Sequence, residues 1–398
     1  MVLTLWHELQ AAGNWPQCAK IAITGLIYDI IGLRRAFAPI GKVWFMMTRR
    51  ERVLRAIEFR GPDRAPFFAY APGVSDIFAM TIMPARDWQP DDPYYPNVYP
   101  EAYFIGGWKY KKPMPRDLMA EGRERQDEFG CVWKSPVGPG IGEVVGHPLA
   151  RWEDLESFPL PDPHAPGRLE RFALYKKLLA GDSFVLGNLE NGIWERSHFL
   201  RGFSNMLMDT VAEPEKAGRL ADRLLDEWLI PLVDRYADAG AHGVIMTDDW
   251  GMQQGLLIRP DTWRAIYKPR YATLFEAAHR RGMKFFLHTC GDIRDIMDDF
   301  LEVGLDVFQK DDIAFMDLEE IADRFGGRAC FMGPLDMQRT LPGADREKIY
   351  SETRRLLRLL ARGGGYIGMF YGQPGAVNIT WAQQLTMFAA FRRYGRAQ

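Results

Sequence analysis

The sequence predicts an α/β protein: a (β/α)8 TIM barrel with an N-terminal helical extension and a long irregular insertion. Three observations predict it. Beyond residue 180, short apolar runs alternate with amphipathic helices, and each unit turns on Gly or Pro. The apolar runs are near-continuous rather than alternating, as expected of strands buried on both faces of a parallel sheet. No GxGxxG follows any of them, which weighs against an open dinucleotide-binding sheet.

Residues 1–46 form a segment of their own, predicted to be one or two appended amphipathic helices. Its most apolar stretch, "IAITGLIYDIIGL" (Ile21–Leu33), is interrupted by Asp29 and is shorter than the roughly 20 residues a membrane span requires. Neither a basic leader nor a small-residue cleavage site precedes it, so no transmembrane segment or signal peptide is expected. The barrel, residues 47–398, opens with a helix capped by Thr48 and running to Phe59. Gly61-Pro62 ends that helix, and "APFFAY" follows as a first buried strand. Residues 73–165, rich in Pro, Gly, Trp and Tyr, are predicted to be an insertion with hairpin character around "EFGCVWKSPVG". Its aromatic residues either line a pocket entrance or pack the insertion onto the body.

The regular part then runs in order. "SFVLGNLE" is a strand, followed by the helix "PEKAGRLADRLLDEWLIPLVDRYADAG". "HGVIMTDD" precedes "RPDTWRAIYKPRYATLFEAAHRRG", and "KFFLHTCG" precedes "DIRDIMDDFLEVG". "LDVFQ" precedes "DLEEIADRFGG", "ACFMGPLD" precedes "REKIYSETRRLLRLLARGG", and "YIGMF" leads into "TWAQQLTMFAAFRRYG".

Composition narrows the function. A formal net charge of −2 over 398 residues leaves no basic stripe for nucleic acid. Cysteines at 18, 131, 290 and 330 are too scattered for a disulfide framework and fit a reducing cytoplasm. A small-molecule substrate is the expectation, because barrels of this kind carry their chemistry where strands pass into βα loops.

Polar residues recur at those positions: Asn188 and Glu190, Asp248 and Asp249, His288, Cys290 and Asp292, Gln309 with Asp311 and Asp312, Asp336, and Tyr371. Some of them are expected only to cap the following helix. The sharpest signal is His288-Thr289-Cys290. Residues two apart in an extended segment project to one side, so imidazole and thiolate can reach one ion, a soft mixed pair suited to Zn2+. The bland alternative is a core cysteine beside a backbone-bonded histidine. Two ligands do not make a stable site, and Glu190, Asp248, Asp249 and, less readily, Cys330 are the candidates to complete it. Of the adjacent aspartates Asp248 and Asp249, one is expected to face the barrel axis and the other to cap a helix. The predicted set is therefore His288, Cys290 and Glu190 as metal ligands. Asp248, Asp249, Glu190 and Tyr371 are the catalytic candidates, and Asn188, Asp292 and Gln309 the cofactor contacts. Glu195 and Arg196 fall on the next helix, as an internal ion pair or as catalytic groups.

Taken together, "MTRRERVLRAIEFRGPDRAPF", "DDWGMQ", "FFLHTCGDIRDIMDDFLEVGLDVFQ", "GPLDMQRTLP" and "GGGYI" resemble the uroporphyrinogen decarboxylase superfamily over about residues 47–396. The resemblance implies one of two chemistries. One branch decarboxylates uroporphyrinogen without a cofactor and carries an N-terminal Arg-Gln-Ala-Gly-Arg motif; the comparable "APFFAYAPGVSD" has no such arginines. The other branch comprises cobalamin-dependent methyltransferases, which use a His-x-Cys pair and a later cysteine as zinc ligands. His288 and Cys290 match the pair, but no cysteine stands near Tyr371 or Gly372. A carboxylate is left to complete the shell, unless the barrel works without metal. The function expected from the resemblance is zinc-assisted methyl transfer or demethylation, with methylcobalamin carried by a partner corrinoid protein. Decarboxylation and non-catalytic small-molecule binding are the alternatives, and a homodimer is the expected assembly.

Overall fold

A computed structural model of the chain describes residues 47–69, 74–86, 122, 124–134, 142–313, 316–372 and 374–396. The expected N-terminal helices, residues 1–46, and much of the insertion lie outside the described residues.

Eight parallel strands form one sheet: β1 (Phe67–Phe68), β2 (Ile77–Thr81), β6 (Phe184–Asn191), β7 (Gly243–Thr247), β10 (Lys284–His288), β11 (Val307–Gln309), β12 (Cys330–Gly333) and β13 (Tyr366–Met369). They run in the order β1-β13-β12-β11-β10-β7-β6-β2. The two end strands meet through Asp76, whose backbone N–H donates to Phe67 O at 2.9 Å. Its fully buried carboxylate accepts from Phe67 N–H (2.8 Å), Arg52 (2.7 Å) and Arg64 (2.7 and 2.8 Å). The seam where regular pairing stops is thus held by a carboxylate with a donor for each lone pair, the condition for burying a charge.

The helices are α1 (Arg49–Ile57), α2 (Glu170–Tyr175), α3 (Ile193–Arg201), α4 (Phe203–Ala212), α5 (Pro214–Leu224), α6 (Ile230–Asp238), α7 (Pro260–Ile266), α8 (Lys268–Arg280), α9 (Met297–Glu302), α10 (Leu318–Phe325), α11 (Arg346–Leu360) and α12 (Trp381–Tyr394). None is long and apolar enough to cross a membrane among the described residues. One apolar cluster fills the space between strands and helices; a second fills the barrel interior. Val53 and Ile57 of α1 join Cys330 in that second cluster, so α1 plugs the end where the strands begin. Thr48 caps α1 as expected, accepting from Glu51 N–H at 3.1 Å.

Three sequence expectations are corrected. The range 73–165 is not all insertion, because its first part supplies barrel strand β2; "IFAMT" is a five-residue run hidden among Gly- and Pro-rich flanks. The helix expected from Pro214 to Gly240 is interrupted by a wide turn at Leu225–Leu229. Pro231 lacks an N–H and its ring crowds the preceding turn, and a widened turn accommodates it. The helix expected from Asp292 forms only at Met297, since Asp292 is taken by Arg294.

The insertion's described residues include a small antiparallel sheet, β3 (Glu124–Gln126), β4 (Val132–Lys134) and β5 (Glu143–Gly146). It docks through Asp127, which accepts from Phe129 N–H, Cys131 N–H and Trp133 Nε1–H, each at 2.9 Å, and from Arg196 at 3.2 Å. Arg196 also lies 3.8 Å over the Phe129 ring. Phe129 and Trp133 therefore pack the insertion onto the body. Arg196 is committed to this contact and not to its neighbour Glu195.

Candidate metal centre

Three adjacent strands finish in register at the mouth, with His288 paired to Thr247 on one side and to Gln309 on the other. Register places these side chains and those just beyond them at one level. Asp249, His288 and Cys290 converge there, their donor atoms all within 4.8 Å of one another. His288 Nε2 lies 3.4 Å from Cys290 Sγ and 3.6 Å from Asp249 Oδ1. Asp249 Oδ1 also accepts from the Cys290 N–H at 2.6 Å, which ties the carboxylate to the cysteine's own backbone. The other ring nitrogen, Nδ1 of His288, bonds Gln309 Oε1. An amide oxygen can only accept, so Nδ1 carries a proton and Nε2 is the ring nitrogen turned to the cluster.

The loop bearing Cys290 is held from below. Lys310, fully buried, donates from Nζ to Thr289 O (2.7 Å) and Gly291 O (2.5 Å), and its partner Asp312 accepts from Gly291 N–H at 2.5 Å. Gly291 adopts φ +75°, and a Cβ there would fall 2.2 Å from the Gly251 carbonyl carbon. That close approach seats the hairpin of β8 (Gly251–Met252) and β9 (Gly255–Leu256) on the loop, with Asp292 N–H donating to Met252 O at 2.7 Å.

Asp248 does not join its neighbour. Fully buried, it accepts from the N–H groups of Trp194 (3.1 Å) and Glu195 (2.8 Å) and from the Tyr271 hydroxyl. It thus serves as the missing N-cap of α3, whose own cap position is Gly192. Gly192 is required there because a Cβ would lie 2.5 Å from Asp248 Oδ2. Burial pushes the Asp248 carboxyl up to about 7, against the pull of its three donors. Asp248, expected as a catalytic candidate, is engaged by the start of α3 and by Tyr271.

Glu190 is also displaced from the expected metal shell. It sits within a bulge of β6 with φ +64°, its N–H bonded to Asn188 Oδ1 (2.8 Å) and its carboxyl accepting from Thr81 Oγ1 (3.0 Å). Burial pushes its carboxyl up to about 8. It is not among the converging donors; Asp249 takes the place expected of it. Asn188 accordingly shapes the strand end. Asp292 is engaged by Arg294 (2.7–3.1 Å), and Asp336 caps the next turn through Gln338 N–H and Arg339 N–H. Tyr371 is fastened through its backbone to Gln384, at 2.9 Å in both directions. Gln309 contacts the histidine itself. Cys330 lies in the barrel interior, where burial pushes its thiol far up.

Two flanking carboxyls complete the mouth. Glu195, bonded to Asn191 Nδ2 at 2.8 Å, is raised well above the usual range by burial and by the charges of Asp249 and Asp248. Asp311, bonded to Gln309 Nε2 at 2.8 Å, is raised by burial, with Asp312 and Asp249 adding to it. Burial works against a charged His288, yet Cys290, Asp249 and Asp311 together leave the imidazole well above its ordinary value. Lys310 carried no sequence signal beyond its place one residue after a strand end, whereas the sequence offers Glu195 as either an ion-pair partner of Arg196 or a catalytic group.

The family described as "Uroporphyrinogen decarboxylase (URO-D)" matches residues 128–370, more than half of the chain. The chain belongs to the uroporphyrinogen decarboxylase family. A curated family protein, the uroporphyrinogen decarboxylase of Alkalilimnicola ehrlichii, is 28% identical over 243 residues, 58% of this chain and 63% of that protein. The chain thus matches somewhat under two thirds of that relative's length. Among solved structures, a methyltransferase from Methanosarcina mazei superposes with a TM-score of 0.63 at 17% identity, covering 87% of this chain and 99% of that one. At that identity the likeness establishes the URO-D barrel as a shared fold.

Proposed function

We propose that this URO-D family protein is a methyl-transfer enzyme that holds Zn2+ through Asp249, His288 and Cys290. The observation that carries the reading is the convergence of these three donors. A tetrahedral ion with Zn–N near 2.0 Å and Zn–S near 2.3 Å sets neighbouring ligand atoms about 3.3–3.6 Å apart. The 3.4 and 3.6 Å separations at His288 Nε2 fall at that spacing. Three protein ligands with a fourth position free is the pattern of catalytic rather than structural zinc. The acidic partner stands in for the later cysteine this sequence lacks.

When bound, the ion supplies Lewis acidity, lowering the pKa of a thiol or polarising a small acceptor at neutral pH. The chain's own residues do the rest. Gln309 fixes the tautomer and plane of His288, an outer contact of the kind that tunes ligand basicity. Lys310, Asp312 and Gly291 hold the Cys290 loop, and Asp248 orients α3 so that Glu195 flanks the mouth. The methyl carrier we propose is a methylated corrinoid borne by a partner protein.

The test is metal analysis of chain purified without chelator, followed by methylcobalamin consumption with a thiol acceptor, read by absorbance. About one zinc per chain, lost in His288→Ala and in Cys290→Ala together with methyl transfer, is the expected result. A metal-free chain that decarboxylates uroporphyrinogen overturns it in favour of the second reading, which the 28% identical decarboxylase supports.

A further inference from the structure

Outside the mouth, α11 carries a second feature that the barrel does not need. Arg346, Tyr350, Arg354 and Arg358 recur every four residues and so share one stripe of that helix. With Arg393 and Tyr394 at the end of α12 they line a groove of about 740 Å³. The four arginines are exposed, and among the described residues none has a carboxylate within ion-pair distance, although Glu347 also lines the groove. The neighbouring side of the same helix is neutralised: Lys348 pairs with Glu352 at 2.8 Å, and Arg355 pairs with Glu319 and with Glu352 at 3.6 Å.

The bare stripe is costly to the helix. Like charges at i,i+4, as at Arg354 and Arg358, repel, and Arg346 sits in the first turn, against the helix dipole. An anion in the groove relieves both. Its floor is aromatic, with Tyr350 and Tyr394 edge to face at 5.8 Å. Arg346 and Arg393 already lie over those rings at 5.1–5.9 Å. The open groove has the volume of a small-ligand site. Guanidinium forks match phosphate oxygens two at a time, and Arg354 and Arg358 stand about 6 Å apart along the axis. Arg396, just beyond α12, bridges to Arg64 ahead of β1. The α12 end of the groove is therefore at the face where strands begin, away from the metal centre.

We propose that this groove binds a linear phosphoanhydride, the di- or triphosphate group of a small molecule, at a site separate from the barrel mouth. The test is calorimetric titration of the full chain with inorganic triphosphate, and with citrate as an anion of similar charge. Saturable binding of triphosphate is expected. It should weaken at least ten-fold in Arg354→Glu/Arg358→Glu and in Arg393→Gln, and also as salt rises. Cys290→Ser, which removes a metal ligand, should bind triphosphate as the unmodified chain does; this separates the groove from the methyl-transfer reading. The proposal is overturned by absence of saturable binding, by citrate binding as tightly, or by variants that bind unchanged. If the charge-reversed pair melts early, Arg393→Gln and the salt dependence decide.

Discussion

Replacing Lys310 with methionine tests how the Cys290 loop is held. The ammonium is wholly buried and Asp312 nearly so, at 0% and 4% side-chain exposure, with Nζ 3.0 Å from Asp312 Oδ1. The substitution removes two charge-assisted bonds to backbone carbonyls, each worth roughly 1.5–3 kcal/mol. It also leaves a carboxylate buried without its counter-charge, a change that costs about 3–5 kcal/mol in comparable pairs. These terms overlap, so a net loss of about 3–5 kcal/mol is expected, a large part of the roughly 5–15 kcal/mol that holds a domain folded. Urea unfolding followed by tryptophan fluorescence measures it. Asp312→Asn keeps an acceptor for Gly291 N–H while removing the charge. The pair Lys310→Met/Asp312→Asn should therefore recover at least about 1 kcal/mol relative to Lys310→Met alone, a coupling that a double-mutant cycle isolates. A single variant losing less than about 1 kcal/mol, or a double variant no more stable than the single, would refute the reasoning.

Gln309→Leu keeps the size of the side chain but removes the acceptor on His288 Nδ1. Zinc affinity, measured by chelator competition, should fall about 10- to 100-fold, and unchanged affinity would show that the amide does not act through the histidine. Glu190 gives a pH signature. Its carboxyl is raised from 4.5 to about 8 by burial, so the fold favours the neutral form. That contribution is complete below pH 4.5 and is lost as pH climbs through 8. Relative to Glu190→Gln, which cannot ionise, the unmodified chain should lose up to about 1.4 kcal/mol per pH unit over this window. Parallel urea titrations at pH 5 and pH 8 that show a constant difference would contradict it.

Much of the barrel was legible because buried parallel strands write themselves as unbroken apolar runs, and β6, β7, β10, β11, β12 and β13 each fall on one. β2 escaped notice because its five residues, four apolar and Thr81, stand between glycine- and proline-rich flanks with no amphipathic helical pattern following in the sequence. His288 and Cys290 were legible as a pair because an x between two ligands in an extended segment is a local geometric fact. Asp249 stood among several candidates to join them, with nothing local to single it out.

The sequence by itself determined that strands alternate with helices, and that an imidazole and a thiol share one side of one strand end. These depend on residues close along the chain. Which of Asp248 and Asp249 meets them, and that Glu190 turns instead to Thr81, was decided only in the assembled barrel. That choice depends on the lateral register of β7 against β10, on the N-terminus of α3 claiming Asp248, and on a buried Lys310 fastening the loop. Each of these joins groups from separate elements, and local propensity carries no record of such distances.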